Sequence, residues 1–160
     1  MLKKHVLIVE DDIQTVTILK FILQQAGYVV KVASNGYDGL HHVANYSFDI
    51  ILLDINMPMM NGFEFLERFG QMEESKDTPV IMLTVRNDKS SIVKAKKLGA
   101  DQYIVKPVEK DSLLKKIEIS VGGRPQFRVV HLGEDNTDAK TSMTFEGSIE
   151  TINEMGMVYS

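Results

Sequence analysis

Five short apolar runs follow one another along the chain: HVLIV (5–9), YVVKVA (28–33), IILL (50–53), TPVIMLT (78–84) and QYIVK (102–106). Runs of this length, rich in β-branched and aliphatic residues, read as strands buried on both faces of a sheet. The stretches between them have helical spacing. Ile18, Leu19, Ile22, Leu23 and Ala26 recur at three- and four-residue intervals, and Gly27 closes that segment as a C′ residue. Asn35 and Gly36 open a helix carrying Leu40, Val43 and Ala44, and Asn61 caps one on which Phe63, Leu66 and Phe69 share a face. RNDKSS leads into a helix that buries Ile92, Ala95 and Leu98 and stops at Gly99; Asp111 or Ser112 starts a last one with Leu113, Leu114 and Ile117. Doubly buried strands alternating with helices require a parallel sheet, because each parallel crossover needs a helix and runs right-handed. The predicted class is α/β, doubly wound and five-stranded. Periodicity does not give the strand order.

Composition narrows the chemistry. With 160 residues and 44% hydrophobic content the chain can build one well-formed core and the start of a second unit. It has no cysteine, so disulfides and thiolate metal sites are excluded, and its four His form no helical zinc pair. The apolar part of MLKKHVLIVEDD is too short for a secretion signal, and no stretch approaches the roughly 18–20 apolar residues of a membrane span. A cytoplasmic location and no membrane partner are expected. A formal charge of −4 argues against direct nucleic-acid binding by this segment.

The stretch FDIILLDINMPMMNG (48–62) delivers a carboxylate, Asp54, at the end of an apolar run, with Pro58 and Asn61-Gly62 turning the chain into the next helix. The carboxyl ends of parallel strands are where such sheets bind ligands. The first strand ends in Glu10-Asp11-Asp12, the third in Asp54, the fourth in Thr84, and the fifth in Lys106 followed by Pro107. Each has an ordinary reading as a helix cap or a solvated strand end; stability does not call for a different reactive group at four of five strand ends. Clustered carboxylates either raise a pKa or hold a cation, and an all-oxygen set selects a hard one, Mg²⁺ first and Mn²⁺ as an alternative. A carboxylate can attack phosphorus to give an aspartyl phosphate, with a metal, an amine and a hydroxyl offsetting charge on the transferring oxygens.

The motifs VLIVEDD (6–12), DINMPMMNG (54–62), LT (83–84) and GADQYIVKP (99–107) resemble the receiver domain of two-component response regulators over residues 4 to 120. The resemblance implies a flavodoxin-like (βα)5 fold of strand order 2-1-3-4-5. It implies that Asp54 accepts a phosphoryl group from a sensor histidine kinase or phosphotransfer protein. Asp11 and Asp54 would bind Mg²⁺ directly with the backbone carbonyl of Asn56, and Glu10 through water. Lys106 would pair with the phosphoryl group, its bond to Pro107 would be cis, Thr84 would hydrogen-bond the phosphoryl group, and Tyr103 would turn inward behind it. The surface of the fourth helix, fifth strand and fifth helix, the 4-5-5 face, would then signal to an output domain, a partner or a second copy in a homodimer. Such a protein is no metabolic enzyme; its only catalysis is self-phosphorylation from small donors and autodephosphorylation. Two features depart from the family pattern: Val85 stands where a small residue is usual and would narrow access to the site, and Arg86, like Asn56, occupies a variable position that tunes phosphoryl lifetime.

From Gly122 the character changes, so residues 1–121 are assigned to the receiver and 122–160 to a linker and tail. Arg124 and Arg128 in RPQFR, after Gly122-Gly123, resemble the opening of a β-rich PilZ domain and imply cyclic di-GMP as a ligand. Thr151-Ile-Asn153-Glu-Met-Gly156 matches that domain's second motif only at its glycine, and a solvated linker with two arginines is the simpler reading. A receiver-fold scaffold indifferent to phosphate, controlled by a nucleotide on the tail, is therefore the alternative to a phosphorylation switch.

Overall fold

Val6 to Val9, Ile50 to Leu53 and Val80 to Leu83 are buried throughout, as expected of central strands covered on both sides. The computed structural model describes residues 3–85 and 89–129, with side chains as far as 121. The elements run β1 (His5–Val9), α1 (Ile13–Gln25), β2 (Val29–Ala33), α2 (Gly36–Asn45), β3 (Ile50–Asp54), α3 (Gly62–Phe69), a 3-10 turn (Glu73–Lys76), β4 (Val80–Thr84), α4 (Lys89–Lys97), β5 (Gln102–Val105) and α5 (Lys110–Val129). All pairings are parallel, in the order β2-β1-β3-β4-β5. The fold is the flavodoxin-like α/β sheet that the sequence led us to expect. The chain divides into units Met1–Val121 and Gly122–Ser160, and the site lies in the first.

Strand alternation splits the core into two layers. Leu7, Val9, Ile51, Leu53, Val80 and Met82 meet Phe65, Leu66 and Phe69 of α3 and Ala95 of α4. On the other face Val6, Ile8, Ile50, Leu52, Ile81 and Leu83 meet Leu19, Ile22 and Leu23 of α1 and Leu113 and Ile117 of α5. Helix ends follow local chemistry: Asp12, Asn35 and Asn61 accept from the backbone N–H three residues on, and Glu64 returns a bond to Asn61 to complete a capping box. Gly27 and Gly99, at φ of 96° and 108°, close α1 and α4 in the left-handed region.

Phe63, Leu66 and Phe69 pack against one core layer, as expected, with Phe63 half-buried beneath the Lys94 ammonium; the fully enclosed aromatic of α3 is Phe65, which the spacing did not single out. Spacing from Leu66 alone did not distinguish them, because the apolar stripe is wide enough to take Phe65 as its centre. Gly122 and Gly123, where the sequence changes character, are part of α5. A glycine costs a helix about 1 kcal/mol, which weakens a helix already packed through Leu113 and Ile117 but does not forbid its continuation.

Candidate functional site

The register brings the strand ends together. Val9 lies opposite Leu53, Asp54 opposite Leu83, and Thr84 opposite Val105. Glu10 therefore follows β1 at the level of Asp54, while Thr84 and Lys106 stand one and two residues beyond it. The chain leaves β1 towards β2 on one side and returns to β3 on the other, so the acids sit at the topological switch point of the sheet.

Alternation then sorts these residues between the faces. Ile8, Leu52 and Ile104 belong to the layer under α1 and α5, and two residues on from each stand Glu10, Asp54 and Lys106. Met82 belongs to the opposite layer, as does Tyr103; Thr84, two beyond Met82, shares its side. Three of the strand ends thus form a charged cluster on one face, and the fourth, Thr84, lies on the other together with Tyr103 of β5.

Lys106 bridges the cluster. Its Nζ donates to Glu10 Oε1 at 2.6 Å and to Asp54 Oδ1 at 3.2 Å. Glu10 and Asp54 are buried, whereas Asp11 is exposed. Burial pushes the Glu10 carboxyl up to about 7 despite hydrogen bonds from Lys106 and the Asp12 N–H. Burial opposes the Lys106 charge, but bonding to Glu10 and the field of Asp54 outweigh it and leave its pKa above the ordinary lysine value. Asp12, grouped by sequence with the other acids, is occupied in capping α1: its carboxylate accepts from Thr15 N–H at 3.0 Å and Thr15 Oγ1 at 2.5 Å, and those bonds hold its pKa low.

Oxygens of Glu10, Asp11 and Asp54 all lie within 4.8 Å of one another. Three carboxylates facing one ammonium leave a surplus of negative charge, and the donors are all oxygen. That set fits a hard divalent cation such as Mg²⁺.

The β3–α3 loop packs tightly beneath these groups. A Cβ on Gly62 would stand 2.5 Å from the Asp54 carbonyl oxygen and 2.9 Å from the Ile55 Cα, and the Gly62 N–H donates to the Ile55 carbonyl at 2.8 Å. The obstructing atoms are backbone, so they cannot swing aside. Gly62→Ala is expected to lower stability by roughly 1–3 kcal/mol through overpacking, read as a lower denaturant midpoint at unchanged slope. An unchanged midpoint would mean the loop yields freely.

Thr84 is buried, and its carbonyl accepts from the Lys106 N–H at 2.6 Å. Thr84 and Tyr103 line a cleft of about 230 Å³ with Ile55, Met82, Ala95 and Lys116. The Lys106–Pro107 bond is cis. Val85 is 59% exposed, so most of its side chain faces solvent. Asn56 is exposed in the loop after β3. Sequence reasoning did not single out Lys116, whose partners are set by packing of α5 on β5 and leave no motif. Arg86 and the tail motif at 151–156 lie outside the described residues; Arg124 and Arg128 fall on α5, where only the backbone is described.

A parallel sheet of order 2-1-3-4-5 with an acid cluster and a lysine at its switch point defines the receiver class of phosphoacceptor proteins. The chain belongs to the response regulator receiver domain family, whose model matches residues 6–118. It is 36% identical over 121 residues to the uncharacterized transcriptional regulatory protein YkoG of Bacillus subtilis, covering 76% of this chain and 52% of that protein. It is 33% identical over 153 residues to the transcriptional regulatory protein DltR of Streptococcus agalactiae, covering 93% of this chain and 67% of that one. The chain thus spans about half to two thirds of these relatives. Among solved structures, the chemotaxis protein CheY4 of Vibrio cholerae superposes with a TM-score of 0.72 at 34% identity, covering 74% of this chain and 99% of that one. Proteins of this family are signalling phosphoacceptors of two-component systems, working between histidine kinases and output domains, and bind Mg²⁺ in an acidic pocket. Among the described residues no helix is long and apolar enough to cross a membrane.

Proposed function

We propose that this chain is a phosphorylation-dependent switch in which Asp54 accepts the phosphoryl group. The observation that carries this reading is the contact of the Lys106 ammonium with the Asp54 carboxylate, inside a cluster whose acids are poised for a divalent cation. In the transfer an Asp54 carboxylate oxygen attacks phosphorus. The new P–O bond forms as the bond to the donor breaks, and the leaving imidazole nitrogen, or the acetate of a small donor, departs with the bonding electrons. Lys106 offsets charge on the transferring oxygens, and the Thr84 hydroxyl donates to one of them. Asp11, Asp54 and the Asn56 carbonyl, with Glu10 through water, would hold Mg²⁺ or Mn²⁺, which would supply further charge neutralisation.

The readout lies on the opposite layer. Thr84 moves toward the phosphoryl oxygens and vacates part of the cleft that it shares with Tyr103, and the tyrosine ring turns into it. The 4-5-5 face of α4, β5 and α5 changes with it and is read by an output domain, a partner or a second copy. Hydrolysis of the aspartyl phosphate by the domain itself resets the switch. The completeness of the acidic pocket favours this reading over a phosphate-indifferent scaffold. We propose the same boundary at Val121, beyond which the tail is a linker or the start of another domain.

Incubation with Mg²⁺ and acetyl phosphate is expected to add one phosphoryl group by intact mass, mapped after reductive trapping to the Asp54 peptide and absent when the metal is chelated. A phosphoryl group on another residue, or metal-independent uptake, would overturn the assignment.

A further inference from the structure

Lys116, on α5, makes two contacts to one residue. Its Nζ donates to the Tyr103 backbone carbonyl at 2.9 Å and lies 5.1 Å from the centroid of the Tyr103 ring. Both side chains border the cleft of about 230 Å³ that runs from Thr84 to the α4–β5 edge. An ammonium within about 6 Å of an aromatic ring is attracted by the quadrupole of its face. The carbonyl bond fixes where that ammonium can sit, so the attraction acts on the ring in one position.

Neighbouring contacts hold α5 in register with β5. Gln102 Nε2 donates to the Lys116 carbonyl at 3.0 Å and to Ser120 Oγ. The lysine is therefore anchored at its backbone by one β5 residue and at its tip by the next. Free rotation of the lysine tip would leave the ring indifferent to it, and this double anchoring removes that freedom. A ring that turns out of this position gives up the contact, because the carbonyl bond keeps the ammonium where it is.

From this geometry we infer that Lys116 is a positioning residue that holds Tyr103 in its resting orientation and so sets how readily the switch turns. The inference rests on the proposed role of Tyr103. Lys116 opposes the inward rotation by the strength of a partly exposed cation–π contact, a factor of roughly 2–5 in the ratio of the two orientations. Because coupling between sites is reciprocal, loosening the ring also tightens binding of a phosphoryl mimic at Asp54 by up to that factor.

The test uses the full chain labelled with 3-fluorotyrosine, the Tyr103 fluorine resonance being assigned from Tyr103→Phe. Spectra of wild type, Lys116→Met and Lys116→Arg are recorded with and without Mg²⁺ and beryllofluoride. Lys116→Met keeps the aliphatic stem and removes the charge. It is expected to move the free-protein resonance part of the way toward the beryllofluoride-bound position and to bind beryllofluoride about two- to fivefold more tightly. Lys116→Arg, which keeps the cation, is expected to restore both to wild-type values; a purely structural role for the stem would predict no such rescue. Coincident free-protein resonances in wild type and Lys116→Met, with equal affinities, overturn the inference. A wild-type Tyr103 resonance that ignores bound beryllofluoride overturns the switch reading itself, while the comparison of free proteins still decides whether Lys116 holds the ring.

Discussion

Asp54→Asn is expected to take up no phosphoryl group from acetyl phosphate under conditions in which the wild-type chain takes up one. The amide has nearly the shape of the carboxylate and keeps an oxygen for the Lys106 ammonium, now 3.2 Å from Oδ1, so the fold has no reason to change. What is lost is the nucleophile: a neutral amide oxygen does not displace a phosphoryl leaving group at neutral pH. The substitution also removes one of three carboxylates whose oxygens crowd within 4.8 Å. Mutual repulsion therefore falls, and the denaturant midpoint in chelator is expected to be equal to or above that of wild type. With a ligand charge missing, the added stability conferred by Mg²⁺ should shrink, because that increment grows with affinity. Uptake by the variant at the wild-type rate would place the phosphoryl group elsewhere, and a large loss of stability in chelator would mean that Asp54 serves the fold.

The sequence made the sheet, its parallel sense and the four reactive strand ends legible because each depends on short-range pattern: a doubly buried run, then a polar terminus. Strand order came only with the family resemblance, since crossovers of similar length connect any pair of parallel strands. The sorting of Glu10, Asp54 and Lys106 to one face and Thr84 and Tyr103 to the other was open to calculation from strand alternation, but only once the register was known. By residue type alone Asp12 was indistinguishable from Glu10 and Asp11 as a cation ligand, because capping and metal binding ask for the same side chain; only the family resemblance set it apart. Phe65 and Lys116 illustrate a different limit. Which of two nearby aromatics fills a core, and which of several lysines on a helix reaches a given ring, are decided by helix rotation and tertiary packing, and composition carries no trace of either.

Lys106→Met is expected to reduce phosphoryl uptake from acetyl phosphate by roughly 10²–10³-fold, the usual cost of removing one preorganised group that neutralises developing charge. The substitution keeps the aliphatic stem and deletes only the ammonium that contacts both Asp54 and Glu10. Its effect on stability should depend on pH. Glu10 is already pushed up to about 7, from a reference of 4.5, by burial that Lys106 partly offsets. A carboxyl whose pKa is higher in the folded than in the unfolded chain binds more protons when folded, so its contribution falls as pH rises between those two values. Without Lys106 the folded pKa climbs further and the loss extends to higher pH. The variant's deficit in chelator should therefore be small near pH 5, where Glu10 is protonated in the folded state of both proteins, and grow toward pH 8. The Lys106 side chain keeps 15% exposure, so the deficit should reach about 1–3 kcal/mol rather than the roughly 3–5 kcal/mol of a fully enclosed pair. Mg²⁺ should recover part of it by supplying the missing positive charge. Chemical denaturation of the two proteins at pH 5 and pH 8, with and without Mg²⁺, measures all of this: a deficit that does not change with pH would show that Lys106 contributes through packing of its stem, and an uptake rate within a few-fold of wild type would remove it from the transfer step.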